Sequence, residues 1–147
     1  MIHAELASSK FSPNNYEGPS MSYMAFMRSR PDSFEVNAVQ ALIELSRKTH
    51  CPVYIVHISS ADAAELVKQA KEEGIQILPK LVRNIWHLLQ MIFRMVIQSL
   101  NNLFDLIASD HAPATPEEKC LEQGNVRMAY AGISGLQYRL PAVWTAL

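Results

Sequence analysis

An abrupt change from apolar to polar residues recurs at three places and restricts the folds open to this chain. Leu-Ile-Ala at 106–108 is followed by Ser-Asp-His, and the apolar run 53–56 is followed directly by His57. His3 stands at the end of a third, shorter run. In parallel α/β enzymes the catalytic side chains stand at the carboxyl-terminal ends of buried strands. The pattern therefore predicts parallel strands that present two imidazoles and, at Asp110, a carboxylate.

Segments with helical periodicity separate these runs. Each of the two longer segments follows residue types that cap helices, Asp32 or Ser33 for the first and Ser59 or Ser60 for the second. The predicted order is a helix over 21–27, a helix over about 33–49, a strand over 53–57, a helix over about 61–73 and strands over 75–78 and 103–109. Alternating strands and helices predict the α/β class with a parallel sheet. A complete eight-stranded barrel needs about 250 residues. The 147 residues here predict one partial TIM-like barrel domain, roughly the second half.

Composition excludes several functional classes. A net charge of -1 without a basic cluster argues against a nucleic-acid partner. Two cysteines, Cys51 and Cys120, form no Cys-x-x-Cys pair, which indicates a reducing compartment and no zinc thiolate site. The apolar stretch 81–103 is interrupted by Arg94 and predicts an amphipathic helix rather than a membrane span. No secretory signal is visible. We therefore expect a cytoplasmic or organellar protein, mitochondrial or peroxisomal in the latter case.

Four ordered blocks of sequence carry a resemblance to one enzyme family. The blocks are Ile-His-Ala-Glu-Leu at 2–6, Arg-Ser-Arg-Pro-Asp-Ser-Phe-Glu-Val-Asn-Ala-Val at 28–39, Val-His-Ile-Ser-Ser-Ala-Asp-Ala at 56–63, and Ile-Ala-Ser-Asp-His-Ala-Pro-Ala-Thr-Pro-Glu at 107–117, continued at 131–137 and 140–141. They resemble the allantoinases, cyclic amidohydrolases related to dihydroorotase and dihydropyrimidinase. The second block, with its Ser-Arg-Pro-x-Ser-Phe-Glu core, resembles allantoinase more closely than its relatives. Their order and spacing make the resemblance specific.

The resemblance implies a binuclear metal hydrolase that opens the ring of allantoin to give allantoate. It implies that His3 and His57 bind one divalent ion, zinc in the first instance, and that Asp110 binds the other and acts as general base. Such ions lower the pKa of bound water and polarise the amide carbonyl, while a carboxylate takes up the proton. The family is commonly homo-oligomeric.

Three further residues receive lesser assignments. His111 is expected to support the loop around Asp110 rather than to bind metal. Gly132 and Ile133 are expected to let the backbone approach the substrate ring, although a tight turn explains the glycine equally well.

Each assignment also has a purely structural alternative. A single histidine at a strand end is more often a hydrogen-bonded packing residue than a ligand. Asp110 is also a residue type that caps a turn through its side chain. For His57, the surrounding Val-His-Ile-Ser-Ser block and the downstream Asp110 favour the ligand interpretation.

Several family features are missing from the sequence. The His-x-His pair, the carboxylated lysine that bridges the metals and a Cys-x-His-Tyr block have no counterparts, and residues 78–103 depart from the family. With one permitted choice of codons for residues 90–100, a shifted reading frame encodes Ala-Asp-Asp-Ile-Pro-Asp-Gly-Asp-Thr-Lys-Phe, which resembles the family segment. Three interpretations remain open: an allantoinase by descent, an inactive fragment or pseudoenzyme that binds a full-length subunit, and the product of a damaged gene. We expect the isolated chain to be inactive.

Overall fold

A computed structural model describes residues 1–7, 19, 21–82 and 106–138 of the chain. Within these ranges helices alternate with short strands, followed by a long loop and a 3₁₀ turn. In chain order the elements are β1 (Ile2–His3), α1 (Tyr23–Arg28), α2 (Ser33–Thr49), β2 (Val53–Val56), α3 (Ala61–Glu72), β3 (Ile77–Val82), β4 (Leu106–Ala108) and the 3₁₀ turn (Leu136–Tyr138).

The four strands form one sheet in the order β1-β2-β3-β4, and every neighbouring pair is parallel. The predicted α/β class with a parallel sheet is thus confirmed. Strand β3 divides its pairing between its neighbours. Its first half, through Pro79, pairs with β2, whereas the residues from Lys80 onward pair with β4. Proline has no amide hydrogen for a sheet ladder, and Pro79 stands at this change of partner.

Helix α2 begins and ends close to the predicted positions. Asp32 is its N-cap, but the Asp32 side chain makes no capping hydrogen bond. The helix ends because His50 takes the left-handed conformation, with φ of 55°, one residue before the predicted Cys51-Pro52 break. The buried Ser46 hydroxyl then donates to the Cys51 carbonyl at 2.8 Å, which fixes the turn into β2.

Helix α3 is capped by Ser60, whose hydroxyl accepts a hydrogen bond from the amide of Ala63. After the helix, Gly74 takes φ of 79°, a conformation that glycine adopts without strain. The inner face of α3 consists of small residues and packs against α2. Its buried members are Ala63, Ala64, Val67 and Ala70.

The hydrophobic core of the described part lies between these two helices and strands β2 and β3. Its fully buried side chains come from all four elements: Val39, Ile55, Ala63, Val67 and Ile77. Burial of each valine or isoleucine in this set contributes about 1.5–3 kcal/mol of hydrophobic free energy, so this layer holds the helices against the sheet.

Several predicted boundaries were wrong: strands β2 and β4 end at Val56 and Ala108, one residue earlier than predicted. The strand predicted at 75–78 begins at Ile77 and runs to Val82, so Leu81 and Val82 belong to a strand and not to the predicted amphipathic helix. Pairing with β4 outweighs the short-range apolar spacing there. Helix α1 begins at Tyr23, two residues later than predicted, because Ser22 is its N-cap. The rest of the predicted helix, residues 83–103, lies outside the described residues, as does most of the loop after His3. Within the described ranges, every helix is too short or too polar to cross a membrane.

Candidate functional site

The carboxyl-terminal edge of the sheet brings two histidines into contact. His3 is the last residue of β1, and His57 directly follows β2. Their Nε2 atoms lie 2.8 Å apart, and their rings meet edge-on with centroids 4.0 Å apart and an angle of 73° between their planes. Because the strands are parallel, Asp110, two residues after β4, follows a strand at the same edge.

The contact between the two rings constrains their protonation. One Nε2 must donate and the other must accept, so at least one imidazole is neutral. Burial lowers the pKa of His57, and the neighbouring His3 lowers it further. A backbone hydrogen bond and the negative charges of Asp110 and Glu5 oppose that shift. The result favours a neutral His57, which is the form of imidazole that binds metal ions.

The backbone at this edge has an uncommon conformation. His57 has φ of 32° and Asp110 has φ of 49°, both in the left-handed region. Histidine and aspartate tolerate that region better than most residues do. Even so, only a few per cent of all non-glycine residues adopt it. Such conformations persist where the surrounding structure determines them, and they cluster at functional sites. The two predicted site residues that follow β2 and β4 thus share this feature.

The loop after Asp110 is held by a short parallel segment further along the chain. His111 forms a bridge with Ile133, whose carbonyl accepts a hydrogen bond from the Ala112 amide at 3.0 Å. The Leu136 amide donates to Nδ1 of His111 at 3.2 Å. Nδ1 of His111 accepts this hydrogen bond, and the contacts of His111 stabilise the loop.

Two glycines allow that segment to approach the loop closely. A Cβ atom at Gly132 would overlap the carbonyl of Ala112, and one at Gly135 would lie 3.2 Å from the carbonyl oxygen of Ser109. The requirement for glycine at these positions is thus explained by packing against the loop that carries Asp110. The proposed approach of Gly132 and Ile133 to a substrate stays a prediction.

Glu35 was not identified from the sequence. This residue is only 9% exposed, and its carboxylate accepts hydrogen bonds from the amides of Ser59 at 2.9 Å and Ser60 at 2.5 Å. Burial raises the pKa of Glu35, while the two amide hydrogen bonds lower it. A sequence signal existed: Glu35 precedes Val39 by four residues and so occupies the apolar stripe of α2.

The contact between His3 and His57 has the chemistry of one pair of metal ligands. Two nitrogens bound to one tetrahedral zinc ion lie about 3.3 Å apart. The Nε2 atoms of His3 and His57 lie 2.8 Å apart, so a slight widening of this distance would let both bind the same ion. Within the described ranges, however, no three His, Cys, Asp or Glu side chains are grouped closely enough to hold an ion. The donor set fits one pair of ligands and not a complete centre.

A shallow cavity of about 270 Å³ lies at the opposite edge of the sheet, where the strands begin. Arg47 and Glu73, which line it, form an ion pair, and both side chains are about half exposed. In barrel enzymes this edge serves stability rather than catalysis. Its lining residues are Ser46, Arg47, His50, Glu73, Gly74, Ile75 and Gln76.

Comparison with known proteins identifies the relationship. The mitochondrial allantoinase of Aquarana catesbeiana is 32% identical over 169 residues, which cover 99% of this chain and 34% of that protein. The allantoinase of Saccharomyces cerevisiae is 30% identical, over 99% of this chain and 36% of that protein. The chain is similar to the allantoinases over almost its whole length. It spans about a third of the length of these curated relatives. Because the alignment is longer than the chain, the allantoinases also contain residues that this chain lacks.

Solved structures of hydantoinases share the fold of this chain. L-hydantoinase from Arthrobacter aurescens superposes with a TM-score of 0.74 at 25% identity, covering 95% of this chain and 36% of that chain. D-hydantoinase from Bacillus sp. AR9 gives a TM-score of 0.72 at 20% identity, covering 94% and 36%. No protein-family model matches the chain.

Proposed function

We propose that this chain forms part of the metal-binding side of an allantoinase-like cyclic amide hydrolase, which converts allantoin and water to allantoate. The observation that carries the proposal is the contact between His3 and His57 at the carboxyl edge of a parallel sheet. The electrostatic influence of Asp110 on His57 supports it. Similarity to allantoinases over almost the whole chain supplies the substrate class.

In this proposal the residues have separate roles. His3 and His57 bind one divalent cation, for which zinc suits imidazole nitrogen. Asp110 contributes to a second position and accepts the proton of the attacking water. When bound, the cations supply a nucleophile at neutral pH and polarise the amide carbonyl. Burial of His57 keeps its imidazole neutral and ready to bind.

We further propose that the four strands are consecutive strands of a partial barrel, in one domain over 1–147. Barrel closure requires neighbouring strands to be staggered, and the divided pairing of β3 at Pro79 is a stagger of this kind. The compartment we propose is the cytoplasm or an organelle such as the mitochondrion or peroxisome. The family's homo-oligomeric assembly is proposed for the whole protein.

The chain by itself should not hydrolyse allantoin. Two imidazoles and one carboxylate leave the second ion with Asp110 as its one assigned protein ligand and leave the bridging position without a lysine, since the family's His-x-His pair and lysine have no counterpart in the sequence. An inactive relative that associates with a full-length subunit is the alternative. It predicts the same absence of turnover, together with binding to that subunit.

Metal titration of the purified full chain tests the site. We expect one zinc or cobalt ion per chain, lost in His57→Asn, because asparagine tolerates positive φ while removing the imidazole. His50→Asn is the matched control, since His50 also has positive φ but lies at the opposite edge. Equal metal binding by both variants, or none by the wild type, would exclude the proposed site.

Allantoin turnover by the isolated chain, abolished by Asp110→Asn, would show that the ligand set is more complete than proposed.

A further inference from the structure

A buried carboxylate joins helix α2 to the loop that carries His57. Glu35 lies in the first turn of α2, and its two oxygens meet the amides of Ser59 and Ser60 just before α3. Negative charge is stabilised at the amino terminus of a helix, where unpaired amides and the helix dipole meet it. The amides of Ser59 and Ser60 therefore offset part of the cost of burying the Glu35 carboxylate.

The loop held by this contact is very short. Only three residues separate the end of β2 from Ser60, the N-cap of α3. The first of them, His57, has positive φ, and the second, Ile58, is 5% exposed. With β2 on one side and the Glu35 contacts on the other, few backbone conformations remain for His57.

We propose that Glu35 is a positioning residue, whose hydrogen bonds to the amides of Ser59 and Ser60 fix the backbone of His57 so that its Nε2 meets Nε2 of His3. The relevance of this arrangement to hydrolysis rests on the proposed function. The contact between the two histidines forms in the chain without a bound metal, so it can be tested independently of hydrolysis.

A general stabilising role makes a different prediction. The Ser60 hydroxyl already caps α3 through the Ala63 amide, so the helix keeps a cap when Glu35 is removed. Loss of Glu35 should then act on the loop and on the histidine contact more than on the helix. If Glu35 only stabilised the fold, all of α3 would lose protection together.

The test uses NMR on the purified full chain without metal. The measurements are amide hydrogen exchange at Ser59, Ser60 and residues of α3, and the nuclear Overhauser effect between the His3 and His57 rings. In Glu35→Ala we expect exchange at Ser59 and Ser60 to accelerate at least roughly tenfold, because each loses a charge-assisted bond. Exchange in the middle of α3 should change much less, and the ring contact should disappear.

Two further variants keep the outcome decisive. Glu35→Gln retains the size of the side chain but places an NH₂ group against one of the amides, so it should weaken the ring contact even if Glu35→Ala fails to fold. Glu44→Gln is the matched control, because Glu44 is an exposed carboxylate on the same helix, and it should change nothing.

An unchanged ring contact in Glu35→Gln, or equal loss of protection throughout α3, would overturn the proposal. Failure of the chain to bind metal would overturn only the proposed function.

Discussion

His57 combines three constraints in one residue. Its backbone has positive φ, its ring is half-buried, and its Nε2 contacts that of His3. Each constraint limits how the ring can be replaced. A residue that disfavours positive φ would strain the loop. Protonation of His57 would leave its Nε2 able only to donate, and the contact would then need Nε2 of His3 to accept.

The lowered pKa of His57 predicts a dependence of stability on pH. The folded chain binds a proton at His57 less readily than the unfolded chain, so the free energy of unfolding should fall as pH drops below 6.5 toward the folded pKa. Above 6.5 this contribution is fully present. Urea unfolding between about pH 5 and 8 measures it. His57→Asn should flatten the slope relative to the wild type, whereas His50→Asn should retain it; equal slopes for the two variants would contradict the prediction.

The sequence predicted some residues of this edge and missed others for a physical reason. Strands that end in histidine or aspartate are visible in the chain, and parallel pairing implies a common edge for His3, His57 and Asp110. Glu35 acts on amides 24 and 25 residues away. That contact depends on how α2 packs beside the loop, and no local pattern specifies it.

At the scale of elements, helix α3 shows how a cap and a small-residue face work together. Ser60 begins the helix, and the alanines on its inner face allow close packing against α2. Ser60 was one of the two predicted caps, because capping depends on local sequence. The start of β3 was not predicted, since residues 75–82 favour no unique strand register until β2 and β4 pair with them.

Removing the cap hydroxyl should destabilise the chain measurably. Ser60→Ala leaves the amide that Glu35 uses but removes the acceptor for the Ala63 amide, so we expect a loss of about 1 kcal/mol. Ser59→Ala is the control, because Ser59 is exposed and contacts Glu35 through its backbone amide, which the substitution keeps. Chemical denaturation measures both. A cost for Ser59→Ala equal to that for Ser60→Ala would mean that the hydroxyl is not the cap.

At the scale of the whole molecule, the described part exposes much apolar surface. Met21, Leu121 and Met128 are each at least 70% exposed, and β1 and β4 each have one neighbour among the described strands. Exposed apolar side chains and open strand edges favour association with other chains.

The isolated chain should therefore self-associate. Size-exclusion chromatography with light scattering at increasing concentration should show species larger than 16.5 kDa. Replacing Leu121 and Met128 together by lysine should shift the distribution toward the monomer, because exposed apolar area is replaced by charge. Glu65→Lys, an exposed change on α3, is the control. A monomer at all concentrations would contradict the prediction.

The divided pairing of β3 also has a consequence for the order of folding. Residues from α2 to Pro79 make their contacts over short separations, whereas β1 must meet β2 across about fifty residues. Closing a long loop costs entropy before its contacts form. Folding should thus nucleate in β2, α3 and the first half of β3, with β1 and β4 added afterwards. In stopped-flow experiments Ile55→Val should mainly slow refolding, whereas Ile2→Ala should mainly accelerate unfolding. The reverse assignment of the two variants would place the nucleus at the sheet edge instead.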